Sequence, residues 1–178
     1  MKKKAVFLDR DGVLNQAVVK EGHPCPPASV SEVVILPGVA EGVQKLKDAG
    51  FVLIVVTNQP DVARGATSKA IVEGINGCLA KHMPIDRFIM CYHDTADGCD
   101  CRKPKPGMLI AGAMEFDVEL VSSYMVGDRW RDVEAGRNAG CKTIFINYEY
   151  DEKQPTSFDY RVGSFIDAIN IILKGNQE

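Results

Sequence analysis

AVFLDRDGVLN, residues 5–15, decides the fold. Its first four residues, Ala5 to Leu8, are apolar without a break, the pattern of a strand covered on both faces, as in parallel sheets. The run then meets Asp9, Arg10 and Asp11. Two carboxylates spaced two apart at a strand end repel each other and resist desolvation. Their placement there asks for a chemical reason.

Outward from this stretch, short apolar runs alternate with helical patterns. Strands are expected at Ala5–Asp9, Phe51–Asn58, Arg87–His93, Ser123–Gly127 and Lys142–Asn147, with a weaker one at Tyr160–Val162. Helices are expected near Gly38–Ala49, Ser68–His82, Pro106–Phe116, Asp132–Ala139 and Ser164–Leu173. Pro37, Ser68 and Pro106 mark starts; Gly50 and Gly140 mark stops. This rhythm predicts an α/β fold, a three-layer Rossmann-like parallel sheet with helices on both faces. Gly22–Ser31 and Asp94–Pro106 read as irregular, and neither is large enough for a second domain. A single domain over 1–178 is expected.

Of the 178 residues, 46% are hydrophobic and 25% charged, the composition of a soluble globular protein. A net charge of −3 offers no basic field to nucleic acid or anionic membrane. The opening MKKKAVFLDRDG has too short an apolar run for a signal peptide, and no stretch approaches a membrane span. A cytoplasmic monomer acting on a small molecule is expected. In a reducing compartment the six cysteines speak for metal, catalysis or packing rather than disulfides.

Open α/β sheets bind ligands at the carboxyl ends of their strands. Those ends carry Asp9 and Asp11, then Thr57 and Asn58, then Asp128, with Arg102 and Lys103 in the loop after the third strand. Three carboxylates, a hydroxyl, an amide and two cations suit a divalent metal with a phosphate. Mg2+ takes oxygen ligands and keeps several waters, and a bound cation would keep neighbouring carboxylates ionised. Taken singly, DxD reads as a solvated turn, TNQ as a polar strand end and GD as a common turn. Taken together at one sheet edge, they fit phosphoryl transfer through an aspartyl-phosphate. A receiver-like phosphoacceptor domain uses similar groups, but its acceptor follows the third strand, where this chain has Cys91 and His93.

FLDRDGVLN (7–15), VVTNQ (55–59), CRKPKPG (101–107) and VGDRWRD (126–132) resemble the four motifs of the haloacid dehalogenase superfamily, in order. The chain is similar to its small branch without a cap domain. That branch includes D-glycero-D-manno-heptose 1,7-bisphosphate phosphatase and the histidinol-phosphate phosphatase domain. The interval from Asp11 to Pro37 leaves no room for a cap. The resemblance implies Asp9 as nucleophile, Asp11 as general acid/base, and Thr57, Asn58, Arg102 and Lys103 as phosphate- or substrate-binding groups. It implies Mg2+ on Asp9, Asp128 and the Asp11 carbonyl, with Asp132 orienting the site from behind. Lys105 rivals Lys103 on chemistry, but RKPxPG puts it at the variable position. The implied reaction is Mg2+-dependent removal of the C7 phosphate from a heptose 1,7-bisphosphate, with histidinol phosphate as the alternative substrate.

Two features bear on specificity. Where the heptose branch usually reads TNQSG, this chain has TNQPD, with Pro60 and Asp61 beside the phosphate site, and a carboxylate there could repel a second phosphate or bind a hydroxyl or ammonium group. Trp130, between Arg129 and Arg131, is either a helix-packing residue or a substrate contact.

CYHDTADGCDC (91–101) supplies Cys91, His93, Cys99 and Cys101. Two short clips of this kind can close a tetrahedral, structural Zn2+ site. A Cys99–Cys101 redox pair and unconnected thiols are the alternatives from spacing alone. The resemblance implies zinc, which would stabilise the loop directly ahead of Arg102 and Lys103. Cys25, Cys78 and Cys141 read as small hydrophobes or a free thiol, and His23 and His82 as surface residues.

Overall fold

A computed structural model describes residues 2–176. In chain order its elements are β1 (Ala5–Leu8), β2 (Val18–Lys20), β3 (His23–Cys25), α1 (Val39–Asp48), β4 (Val52–Asn58), α2 (Lys69–Ala80) and β5 (Arg87–Cys91). There follow α3 (Gly107–Phe116), β6 (Tyr124–Gly127), α4 (Trp130–Ala139), β7 (Lys142–Ile146), β8 (Tyr160–Val162) and α5 (Phe165–Gly175). Six strands form a parallel sheet in the order β5-β4-β1-β6-β7-β8. The weak strand expected at Tyr160–Val162 is its edge.

Strand alternation divides the core into two layers. Val6 and Leu8 of β1 join Val39, Val43 and Leu46 of α1, Ile75 and Leu79 of α2, and Phe165, Ile169 and Ile172 of α5 on one face. Ala5 and Phe7 join Met108, Leu109 and Ala113 of α3 and Ala135 of α4 on the other. Every residue of β1 is fully buried, as the unbroken apolar run predicts for a strand covered on both sides. Among the described residues no helix is long and apolar enough to cross a membrane.

The chain builds outward from β1 through β4 to β5, then returns to lay β6 against the opposite side of β1. The topological switch point therefore lies between the carboxyl ends of β1 and β6. Asp9 and Asp128 follow those two ends.

Two local readings are revised. Helix α4 begins at Trp130, not Asp132, because the Asp132 side chain reaches back to the Arg129 backbone N–H at 3.0 Å and caps the first turn from its third position. Within the segment expected to be irregular, β3 pairs antiparallel with β2 in a small separate hairpin. Pro24 and the exposed Val18 and Val19 hide the alternation that would announce it.

Candidate active site

Asp9, one residue beyond β1, is pinned by its backbone N–H, which donates to Val126 O of β6 at 3.0 Å. Its side chain enters a small cavity of about 80 Å3 at the switch point, which Asp11, Thr57, Asn58, Arg102, Lys103 and Asp132 also line. Six of the expected site residues thus meet there with Asp132.

Lys103 is 2% exposed although it sits in a loop. Its Nζ donates to Asp9 Oδ1 at 2.8 Å and to Val56 O at 2.8 Å, and pairs with Asp132 Oδ1 at 2.6 Å. Burial works against its charge, but Asp132 and Asp9 more than reverse that and raise its pKa above the ordinary lysine value. Lys105 points elsewhere: its ammonium donates to Gly98 O, Cys99 O and Asp100 Oδ1 at 2.8–3.1 Å. The two lysines are separated by environment, and Lys103 is the one in the cavity.

The carboxylates of Asp9, Asp128 and Asp132 approach within 4.8 Å of one another. Burial, followed by the Asp132 carboxylate, pushes Asp9 up to about 6 against the pull of Lys103. Asp128 is raised well above its ordinary value, by burial first and then by Asp9 and Asp132. Three acids set against one lysine leave a surplus of negative charge suited to a divalent cation. Both Asp128 oxygens are buried without a well-formed hydrogen bond, and the nearby Tyr150 hydroxyl offsets only part of the cost of burial, an arrangement that is unfavourable unless something binds them. Asp132, in contrast, is fully occupied by Lys103 and the Arg129 N–H. The donor chemistry fits Mg2+ at Asp128 and Asp9, while Asp132 holds the lysine.

Gly12 permits this crowding. Its φ of +91° favours glycine, and a Cβ there would lie 1.9 Å from Asp128 Oδ2.

Asp11 lines the cavity, but its carboxylate stands outside the cluster of three acids. Oδ1 accepts from Arg10 Nε at 3.1 Å and Asn15 Nδ2 at 3.0 Å; Oδ2 accepts from Arg10 Nη2 and Gln59 Nε2, both at 2.9 Å. Arg10 is fully buried and also reaches Asn76 of α2 at 3.1 Å. Gln59 links Asp11 to Thr57 Oγ1 at 3.0 Å. Sequence reading overlooked these supports, although Gln59 lies inside the quoted VVTNQ. Asn58 lines the same cavity. The amide exchanges two hydrogen bonds with the Lys103 backbone at 3.0 and 3.1 Å, tying β4 to the loop that carries the lysine.

That loop is built on the expected cluster. Nδ1 of His93 and the sulfurs of Cys91, Cys99 and Cys101 also lie within 4.8 Å of one another. Individual separations are 3.2–3.7 Å among the sulfurs and 3.3 and 3.7 Å from Nδ1 to Cys101 and Cys91. Tetrahedral zinc with bonds of about 2.3 Å calls for sulfur contacts of roughly 3.8 Å, close to these values. All six cysteines are free thiols.

At the rim, Asp61 is engaged by Arg64 at 3.3 Å, and Arg64 also holds Asp94 at 2.7 and 2.8 Å. One guanidinium is thus shared between two carboxylates, with its closer contacts to Asp94, so the Asp61 charge is only partly offset. Trp130 is flanked by cations, with Lys153 Nζ 3.9 Å and the Arg131 guanidinium 4.6 Å from its ring.

Residues 100–163 match a family model described as HAD-hydrolase-like. D-glycero-beta-D-manno-heptose-1,7-bisphosphate 7-phosphatase of Pasteurella multocida is 37% identical over 81% of this chain and 81% of its own. The protein of that name from Bordetella bronchiseptica is 40% identical over 78% and 77%. The chain belongs to the haloacid dehalogenase-like hydrolases. More narrowly, it is a phosphatase of the group to which these relatives belong. The crystal structure of the D,D-heptose 1,7-bisphosphate phosphatase from B. bronchiseptica, complexed with magnesium and phosphate, superposes with a TM-score of 0.82. It is 30% identical and covers 96% of this chain and 98% of its own.

Proposed function

We propose that this haloacid dehalogenase-like phosphatase removes the C7 phosphate from a D-glycero-D-manno-heptose 1,7-bisphosphate. The observation that carries the chemistry is the buried Asp9–Lys103–Asp132 chain beside the buried Asp128 carboxylate. Support for the substrate comes from the relatives' shared name over about four fifths of the chain.

In this reading a carboxylate oxygen of Asp9 attacks phosphorus as the ester P–O bond breaks, and Asp11 gives its proton to the departing alkoxide. Asp11 then takes a proton from water, whose oxygen attacks the aspartyl-phosphate and frees inorganic phosphate from Asp9. Lys103 and the Thr57 hydroxyl hold phosphoryl oxygens, Arg102 contacts the substrate, and Gln59 and Asn15 keep Asp11 oriented. Asp9, Asp128 and the Asp11 carbonyl would hold Mg2+, which neutralises charge on the phosphoryl group when bound.

Zn2+ on Cys91, His93, Cys99 and Cys101 serves as a structural crosslink that fixes the approach of Arg102 and Lys103. The cluster's four closed ligands leave no open position for catalysis. One six-stranded sheet draws on the chain from β1 to β8, which supports a single domain, and cysteines gathered with His93 in a metal-suited cluster favour a reducing compartment such as the cytoplasm. Histidinol phosphate is the weaker reading, since the relatives share the heptose bisphosphate name and Asp61, the rim carboxylate suited to an ammonium group, already contacts Arg64.

Phosphate release with Mg2+ from a panel tests the proposal. It should include both anomers of heptose 1,7-bisphosphate, histidinol phosphate and common hexose phosphates, with phosphorus NMR to identify the ester cleaved. Preferred loss at C7 of the bisphosphate is the expected result; preference for histidinol phosphate would replace the substrate and keep the mechanism.

A further inference from the structure

The small catalytic cavity adjoins a wider one of about 330 Å3, and Arg102, Arg129 and Arg131 line both. These arginines are not equivalent. Arg129 Nε donates to both Glu152 carboxylate oxygens at 2.9 and 3.1 Å, so its charge is met. Arg64, farther out on the same rim, is met by Asp61 and Asp94. Among the described residues Arg102 donates only to a neutral acceptor, the His93 carbonyl, at 3.2 Å. Among the described residues Arg131 has no ion pair and no side-chain hydrogen bond; its guanidinium lies 4.6 Å from the Trp130 ring.

Both residues are half-buried, so water screens them incompletely. Burial, followed by the charges of Arg129 and Arg102, pushes Arg131 below its ordinary pKa. Holding like charges together against a partly desolvated wall is unfavourable without an anion between them. Asp61, which lines the same mouth, contacts Arg64, as does Asp94; Glu152 is taken by Arg129, and Asp9, Asp11 and Asp132 belong to the catalytic floor. Trp130 restricts the orientation of Arg131, which leaves its guanidinium donors available to a planar or tetrahedral oxyanion.

We propose that Arg131, together with Arg102, seats a second anionic group of the substrate, the phosphate that is not cleaved. This rests on the bisphosphate reading above and adds to it a residue that selects bisphosphates over monophosphates. The two cations are carried by different elements, the zinc-clip loop and the start of α4. Only a ligand spanning the catalytic cavity and its mouth would engage both while presenting its other phosphate to Asp9.

The test compares kcat/KM for a heptose 1,7-bisphosphate and the corresponding heptose 7-phosphate. It uses the Mg2+- and Zn2+-loaded wild type, Arg131→Ala and Arg131→Lys. A lost charge-assisted contact should lower the bisphosphate-to-monophosphate ratio at least tenfold in Arg131→Ala, mostly through KM, with partial recovery in Arg131→Lys. A purely structural arginine would lower both substrates together. An unchanged ratio in Arg131→Ala, with the wild type still preferring the bisphosphate, overturns the subsite and leaves the proposed substrate standing. No preference in the wild type overturns both.

Discussion

Lys103 and Asp9 are locked together below the surface, Nζ to Oδ1 at 2.8 Å, although 94 positions separate them in the chain. Their contact joins the switch point of the sheet to a loop otherwise held by a cysteine–histidine cluster. The candidate nucleophile and the cation that would steady its phosphoryl group therefore depend on each other for burial. Asp132 completes the arrangement from α4, at 2.6 Å from the same ammonium.

Lys103→Met should then damage both activity and stability. Removing one member of a buried ion pair costs roughly 3–5 kcal/mol, because the remaining charges lose their compensation. Turnover should fall by roughly two to three orders of magnitude with the loss of a preorganised cation. Urea titration and steady-state assays measure the two effects. Lys105→Met provides the contrast: it should weaken zinc retention while Asp9 keeps its partner. Equal losses of turnover in the two variants would mean that burial does not separate these lysines.

Asp9→Asn tests the nucleophile directly. The amide is nearly isosteric but cannot form the acyl phosphate, so turnover should drop by roughly four orders of magnitude or more. Circular dichroism and zinc content should stay at wild-type levels, and Mg2+ should bind less tightly. Appreciable steady-state turnover in a preparation free of wild-type enzyme would move the covalent step to another residue.

Much of this was legible in the linear sequence, for identifiable reasons. The unbroken apolar run Ala5–Leu8 announces a two-sided strand, and polar residues after successive runs mark one edge of the sheet. The hairpin was not legible, since Val18 and Val19 are exposed and their partner strand contains Pro24. The supports of Asp11 were not legible either. Arg10 looks like a solvated charge between two acids, yet it is fully buried, because Asp11 and Asn76 together satisfy it. Nor does spacing reveal that the Asn58 amide faces a backbone 45 positions away. Side-chain partners of this kind depend on tertiary approach.

Cys99→Ser or Cys101→Ser should release zinc and loosen the loop that delivers Arg102 and Lys103. Metal analysis should show a loss approaching one zinc per chain, the thermal midpoint should fall, and kcat should follow because Lys103 loses its fixed approach to Asp9. A strong chelator should reproduce these effects in the wild type, and added Zn2+ should reverse them. Zinc content equal to wild type in both serine variants would remove the structural metal from this loop.

Gly12→Ala examines the crowding around Asp128. Positive φ at a residue with a Cβ costs roughly 1–3 kcal/mol, and the new methyl would also press on Asp128 Oδ2 from 1.9 Å. The aspartate must turn away from the position in which its carboxylate approaches that of Asp9. Stability should therefore fall by that amount, while the Mg2+ concentration for half-maximal activity rises at least several-fold. The comparison variant is Gly65→Ala, which has a similar positive φ of +72° but no atom within 4 Å of its Cβ. It should share the backbone penalty and keep the wild-type Mg2+ requirement. If Gly12→Ala and Gly65→Ala show the same Mg2+ dependence as the native enzyme, Asp128 does not hold the catalytic metal.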